Sequence, residues 1–126
     1  MSLGFLEKLN VRIITLSDRA SAGEYEDRSG PTIIKLIKEF CAKHKCDVEI
    51  DYHLISDDHI ALETLVLKES ANIIITTGGT GLSPRDITPD VVKPLLDPEI
   101  PGIMEMIRCK YGATIPSALL SRSVAG

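Results

Sequence analysis

Aromatic residues, cysteines and long apolar runs are all scarce in this sequence. Its 126 residues include no tryptophan, two phenylalanines and three tyrosines. No apolar stretch approaches the roughly 20 residues that a membrane-spanning helix needs, and residues 1–8 lack the basic start and long apolar centre of a signal peptide. We therefore expect a cytoplasmic protein without a membrane span.

An excess of positive charge is also lacking, because 14 Lys and Arg residues stand against 18 Asp and Glu residues and the formal net charge is −4. Broad nucleic-acid binding depends on a basic surface that neutralises phosphates, so this class of function is excluded. An anionic ligand would have to be held locally, by loop amides and a few cations.

The three cysteines, Cys41, Cys46 and Cys109, are odd in number and show no Cys-x-x-Cys spacing. This pattern predicts neither a disulfide framework nor a zinc site. We expect buried, reduced thiols.

Three apolar runs predict strands, and helical periodicity predicts the segments between and after them. The predicted strands cover residues 11–16, 48–55 and about 73–75, and the predicted helices cover about 30–44, 56–70, 88–96 and 101–111. The order β-α-β-α-β-α-α predicts a single α/β domain over 1–126, three-layer α/β/α with a mostly parallel sheet. The second strand should lie nearer the sheet edge, and the third should be buried on both faces. Pro31 should be the first residue of its helix, and Thr88 should cap the next one with Pro89 at its first position.

A glycine-rich loop follows the third strand and contains Gly78, Gly79 and Gly81. Glycines permit positive φ, so successive N–H groups can converge on an anion. A P-loop is excluded because Leu82 and Ser83, and not Lys followed by Ser or Thr, come after Gly81. A dinucleotide fingerprint is excluded because Pro84 stands where its third glycine should be.

Ligands of such sheets bind at the carboxyl ends of the strands. That rule predicts that Ser17–Arg19, Ser56–Asp58 and Gly78–Asp86 converge on one crevice, whose mixture of hydroxyls, amides and carboxylates suits a phosphorylated substrate with a divalent cation. Asp86 is interpreted as a Mg²⁺ or substrate ligand, with a turn residue or a partner of Arg85 as the alternative. Asp57 is either functional or a helix cap. Arg19 and Arg85 are candidate phosphate clamps, with exposed surface charges as the alternative.

Two long motifs carry a family resemblance. Residues 76–81 with Arg85-Asp86, Thr88-Pro89 and Asp90 form the first, and residues 16–21 with Gly23, Tyr25, Asp27, Ser29 and Gly30-Pro31 form the second. Pro101-Gly102 and Leu120-Ser121-Arg122 are later landmarks. Together they resemble the molybdenum-cofactor biosynthesis family of MogA, MoaB, gephyrin and its plant counterpart, and the pattern of the first loop resembles the MogA branch.

The resemblance implies a molybdopterin-binding α/β/α fold, a homotrimer, and an adenylyltransferase that uses ATP and Mg²⁺ to adenylylate molybdopterin. Asp57 and Asp86 match the family's two functional acidic positions, which makes them the candidate catalytic residues and metal ligands. The residues expected to contact substrate are Ser17, Asp18, Arg19, Asp27, Ser29, Gly30, Thr76, Thr77, Gly78, Gly79, Thr80, Gly81, Arg85 and Ser121.

Several alternatives stay open. One is a MoaB-like carrier that binds molybdopterin without adenylylating it, another is a role in molybdate insertion, and a third is a nucleotide pyrophosphatase on the same kind of fold. A downstream molybdate-insertion protein is the expected protein partner. Family domains typically continue past the position of Gly126 into a strand, a loop and a helix, so we expect part of the pocket to lie outside this sequence. Residues 1–3 are interpreted as vector-derived.

Overall fold

The computed structural model describes residues 8–126. The interpretation of residues 1–3, and most of the signal-peptide argument, concern residues outside this range. The chain divides into two compact units, the first holding residues up to Ser56 with Leu67–Thr77, and the second holding Asp57–Val66 with Gly78–Gly126. That the whole chain acts as one domain stays a prediction.

The first unit contains a parallel sheet of three strands, in the order β2-β1-β3. Its strands are β1 (Lys8–Leu16), β2 (Asp47–Ile55) and β3 (Ile73–Thr77). Leu16 pairs with Ile55, and Thr15 pairs with Thr77, so the three carboxyl ends lie at the same edge. The predicted α/β class and parallel sheet are confirmed.

β1 is the central and most deeply buried strand of this sheet. All six residues from Val11 to Leu16 are buried, and Ile13 and Ile14 have no exposed surface. β2 lies at an edge of the described sheet, as predicted. Ile73 of β3 is 45% exposed, so the prediction that the third strand is buried on both faces is wrong at its first residue. The apolar run that is buried throughout is the middle strand.

Two helices belong to the first unit, α1 (Asp18–Ser21) and α2 (Ser29–Lys43). α2 packs against β1 and β2. It begins at Ser29, so Pro31 is its third residue and not its first as predicted. Pro is tolerated there because the N–H groups of the first helical turn have no partner within the helix.

The remaining helices are α3 (His59–Leu67), α4 (Thr88–Val92) and α5 (Pro101–Gly112), with 3₁₀ turns at Lys93–Leu95 and Pro116–Leu120. The predicted helix over 88–96 therefore changes to a 3₁₀ turn, because Pro94 has no N–H to continue an α-helix. α3 is shorter than predicted. The N–H of Ala61 donates to Asp58 Oδ1 at 2.7 Å, so Asp58 caps the start of α3.

None of the helices between residues 8 and 126 combines the length and apolar character needed to cross a membrane. Cys41 is buried and Cys46 is half-buried, but Cys109 is exposed. The prediction of buried thiols is therefore wrong for Cys109.

Candidate functional site

The glycine-rich loop of the second unit requires its glycines. Gly78 and Gly79 have φ of 92° and 68°, in the left-handed region that side chains rarely adopt. A Cβ on Gly79 would lie 2.5 Å from Thr88 Oγ1, and a Cβ on Gly81 would lie 2.7 Å from Asp86 Oδ2. The loop backbone therefore runs against these two side chains with no room for a methyl group.

Thr88 and Arg122 hold four consecutive carbonyl groups of this loop, those of residues 78–81. The Thr88 hydroxyl donates to Gly78 at 2.9 Å, and the Thr88 N–H donates to Gly79 at 3.0 Å. The Arg122 N–H donates to Thr80 at 2.8 Å, and Arg122 Nε donates to Gly81 at 2.8 Å. Thr88 is only 3% exposed, so it is buried beneath the loop residues that it contacts.

The directions of these carbonyls fix the directions of the loop amides. In a trans peptide the C=O and the following N–H point in opposite directions, and none of the described peptides is cis. The N–H groups of residues 79–82 therefore point away from Thr88 and Arg122. Successive backbone N–H groups can bind an anion where they converge on one point.

Arg122 has a larger role than the sequence predicted, since only its neighbour Ser121 was proposed as a site residue. Besides Gly81, its guanidinium donates to the carbonyl of Asp86 at 2.7 Å. It also pairs with both carboxylate oxygens of Asp90, at 3.2 and 3.3 Å. Its place in the Leu120-Ser121-Arg122 landmark was the available signal.

Ser121 lies beside the same loop. Its hydroxyl donates to Thr80 Oγ1 at 3.3 Å and shares a 2.7 Å hydrogen bond with the Ser123 hydroxyl. Two of the predicted residues, Thr80 and Ser121, are thus brought together.

Asp86 organises the turn that closes the loop. Its Oδ2 accepts the Ser83 N–H at 3.0 Å, and its own N–H donates to the Ser83 carbonyl at 2.9 Å. The turn role that was the alternative interpretation of Asp86 is therefore real. Arg85 is exposed, and its N–H donates to the Ser83 hydroxyl at 3.3 Å.

Asp57 is half-buried next to the loop. Its Oδ1 lies 3.0 Å from the point that a Cβ on Gly79 would occupy. Asp57 and Asp86 thus border two of the loop glycines, Gly79 and Gly81. Residues 8–126 contain no group of three or more His, Cys, Asp or Glu side chains placed to hold a metal.

The predicted residues of the first unit serve its local structure. Ser17 Oγ accepts the Ala20 N–H at 3.1 Å, which caps α1, and shares a 2.8 Å hydrogen bond with the Tyr25 hydroxyl. Arg19 Nε donates to Glu24 at 3.2 Å, and the guanidinium lies 5.2 Å from the centre of the Tyr25 ring. Asp18 is half-buried in the first turn of α1.

Asp27 fastens the start of α2. Its carboxylate accepts the Tyr52 hydroxyl, the Ser29 N–H at 3.1 Å and the Gly30 N–H at 3.3 Å. Burial by itself would raise the pKa of Asp27, but the hydrogen bonds from Tyr52 and the two backbone amides hold that pKa below its usual value. Gly30 is buried, and a Cβ there would lie 2.5 Å from the Tyr52 ring.

Thr76 and Thr77 end β3, where they pair with Ile14 and Thr15 of β1 and are half-buried. That the first-unit residues and the glycine-rich loop share one crevice stays a prediction.

Sequence reasoning also missed a buried arginine in β1. Arg12 is 1% exposed, and its Nε donates to Asp51 Oδ2 at 2.8 Å. Its other nitrogens donate to the carbonyls of Lys68 and Glu69, at 2.7 and 3.1 Å. The hydrogen bond from Arg12 is the main cause that holds the pKa of Asp51 below its usual value. Arg12 therefore ties β1 to β2 and to the segment before β3.

Comparisons with known proteins extend over nearly the whole chain. A family model described as "Probable molybdopterin binding domain" matches residues 12–126. The chain is 33% identical over 125 residues to the molybdopterin adenylyltransferase of Helicobacter pylori strain J99, which covers 96% of this chain and 69% of that protein. It is 38% identical over 120 residues to the molybdopterin adenylyltransferase of Pyrococcus furiosus, covering 90% of this chain and 66% of that protein. The chain thus spans about two thirds of the length of these curated relatives.

A solved structure agrees with the sequence comparisons. The tungsten cofactor synthesizing protein MoaB from Pyrococcus furiosus matches with a TM-score of 0.78 at 35% identity, over 97% of this chain and 74% of that one. The family model, the two relatives and this structure all match the range that holds both motifs. The chain therefore belongs to the family of molybdopterin-binding domains found in molybdenum-cofactor biosynthesis proteins.

Proposed function

We propose that this chain is a molybdopterin adenylyltransferase, which transfers AMP from ATP to the terminal phosphate of molybdopterin. The relatives from Helicobacter pylori and Pyrococcus furiosus carry that name. The observation that carries the proposal is the glycine-rich loop, in which Thr88 and Arg122 hold the carbonyls of residues 78–81. The N–H groups of residues 79–82 are directed away from these two residues, so they are not used by Thr88 or Arg122. This supports a role for them in binding a phosphate.

The reaction needs no general base from the chain. The second pKa of a phosphate monoester is about 6, so the terminal phosphate of molybdopterin is largely ionised at pH 7. One of its oxygens forms a bond to the α-phosphorus of ATP, and the bond from that phosphorus to the β-phosphate oxygen breaks. Pyrophosphate leaves with the electron pair.

Charge is the main obstacle, because two anions must approach each other. Preorganised N–H dipoles offset this repulsion without reorganising during the reaction. We place the reacting phosphate on the amides of residues 79–82, with the hydroxyl of Thr80 as a further donor, positioned by the hydrogen bond that it accepts from Ser121. The other predicted substrate contacts remain predictions. They are Arg85 in the second unit and, in the first unit, Ser17, Asp18, Arg19, Asp27, Ser29, Gly30, Thr76 and Thr77.

The two carboxylates beside the loop fit a magnesium ion that arrives with ATP. Mg²⁺ typically uses one or two carboxylates together with substrate phosphates and water, and not a cage made only of protein ligands. Support comes from their position, since Asp57 borders Gly79 and Asp86 borders Gly81 in the loop. We propose these two residues as the ligands, and the ion would supply neutralisation of phosphate charge.

AMP transfer from ATP labelled at the α-phosphate to molybdopterin tests this function. We expect Asp86→Asn to lower the rate by about tenfold or more, which corresponds to about 1.4 kcal/mol of transition-state stabilisation. Asp58→Asn is the matched control, since it removes the same charge next to Asp57 while asparagine still caps α3. A wild-type rate for Asp86→Asn at saturating Mg²⁺ would refute its assignment.

The same assay separates the alternative functions. Tight binding of molybdopterin without AMP transfer would identify a carrier. Pyrophosphate released from ATP without adenylylated molybdopterin would identify a nucleotide pyrophosphatase. A cytoplasmic location, and a molybdate-insertion protein as recipient of the product, stay predictions.

We also propose that the chain forms the homotrimer that the family resemblance implies. Support comes from α5, where Ile103, Met106, Ile107 and Tyr111 are 37–66% exposed. Their spacing of three and four residues places them on neighbouring positions of one helix face. Exposed apolar patches of this kind mark interaction surfaces.

A further inference from the structure

We infer that Arg122 is a positioning residue, which orients the loop amides of residues 79–82 towards a phosphate without binding the phosphate itself. This inference rests on the proposed phosphate-binding role of the loop.

All three guanidinium nitrogens of Arg122 have partners within the second unit. Nε donates to the carbonyl of Gly81, NH2 donates to the carbonyl of Asp86, and NH1 and NH2 pair with the carboxylate of Asp90. The side chain is 36% exposed. The carboxylate of Asp90 balances the charge of Arg122. We therefore assign Arg122 to holding the loop in place, and not to binding the ligand's negative charge.

The guanidinium of Arg122 contacts two separate points of the loop. Gly81 lies at the end of the glycine run and Asp86 lies at the turn that closes it, so one planar group fixes two carbonyls five residues apart in sequence. Asp90 belongs to α4, whose first residue, Thr88, holds the carbonyls of Gly78 and Gly79. The pair of Arg122 with Asp90 therefore joins the two sets of contacts that direct the amides.

Lysine cannot replace this arrangement. Its ammonium is a single point of charge, whereas the guanidinium is a planar fork that donates in several fixed directions. Arg122→Lys keeps the charge opposite Asp90 but cannot hold Gly81, Asp86 and Asp90 together.

The experiment uses the full chain and two readouts. The first is the ¹⁵N order parameters of the amides of residues 79–82 without ligand, which we expect to fall from about 0.85 in the wild type to below about 0.6 in Arg122→Gln. The second is molybdopterin binding by calorimetry, where we expect the Kd to rise by about tenfold or more in Arg122→Gln. Arg122→Lys should lower the order parameters and raise the Kd nearly as much as Arg122→Gln does. Asp90→Asn should have a smaller effect on both, because the contacts of Arg122 with the two carbonyls remain.

Lys93→Gln is the control for loss of a positive charge. Lys93 lines the same cleft as Arg122 and Asp90, but it pairs with Glu99 and not with the loop. We expect wild-type order parameters and a wild-type Kd for this variant. Unfolding curves for every variant show that the comparison concerns folded protein.

The two outcomes that count against the proposals differ. If Arg122→Gln leaves the order parameters at wild-type values, or if Arg122→Lys restores both readouts, the inference about Arg122 is wrong whatever the ligand. If the wild type does not bind molybdopterin while Arg122→Gln still disorders the amides, the proposed function is wrong and the positioning role stands.

Discussion

Position 79 requires glycine for two reasons, its backbone conformation and the lack of space for a side chain. Its φ of 68° disfavours every side chain, and a Cβ would lie 2.5 Å from Thr88 Oγ1 and 3.0 Å from Asp57 Oδ1. Thr88 was predicted to cap α4, but its hydroxyl donates to Gly78 instead. Thr88 therefore contacts the loop backbone directly at Gly78 and Gly79.

We expect Gly79→Ala to lower the free energy of unfolding by about 1–3 kcal/mol, because the new methyl group displaces Thr88 and the backbone conformation is strained. Molybdopterin binding should weaken as well, since the loop amides shift. Urea denaturation and calorimetry measure the two effects. Gly102→Ala in α5 is the matched control, because nothing lies within 4 Å of its Cβ position, and it should be neutral or stabilise by about 0.5 kcal/mol. Equal stability of the two variants would contradict the steric argument.

At the scale of a single element, β1 contains a buried arginine, Arg12, within its apolar run. Arg12 lies between Val11 and Ile13 in the buried run and satisfies Asp51 and two carbonyl groups. We expect Arg12→Met to lower the free energy of unfolding by about 3 kcal/mol, the lower end of the cost of breaking a buried pair, because Asp51 is 43% exposed. Urea denaturation measures this change.

Arg19→Met removes the same charge from an exposed pair with Glu24, whose side chains are 73% and 59% exposed. This control should cost less than about 1 kcal/mol. A cost for Arg12→Met no larger than that of the control would show that the buried network adds little to the stability of β1.

Sequence patterns located the elements well, because a buried strand requires a continuous apolar run and an amphipathic helix requires periodicity. They failed where several polar residues compete for one role. Asp58 caps α3 although Asp57 is as good a candidate, and Thr88 binds a carbonyl of the loop in place of capping α4. Arg122 was missed as a site residue because its partner Gly81 lies 41 residues away, and no local pattern encodes that contact.

At the scale of the whole molecule, the apolar face of α5 raises the question of assembly. Met106 is 66% exposed, and its neighbours Ile103 and Ile107 are 45% and 37% exposed. Leaving such a contiguous apolar surface in water is unfavourable by about 25 cal/mol for each Å² that a partner could cover. A second copy of the chain that covers this face would remove that cost, as the proposed homotrimer requires.

We expect the wild type to sediment as a trimer and Met106→Glu to sediment as a monomer, because a carboxylate on the covered face would have to be buried without a partner. Sedimentation equilibrium over a range of protein concentrations measures this change. Leu36→Glu on α2 is the matched control, since Leu36 is 59% exposed but lies in the first unit, and it should leave the trimer intact. A monomeric wild type would refute the assembly, and a trimeric Met106→Glu together with a monomeric Leu36→Glu would move the interface from α5 to α2.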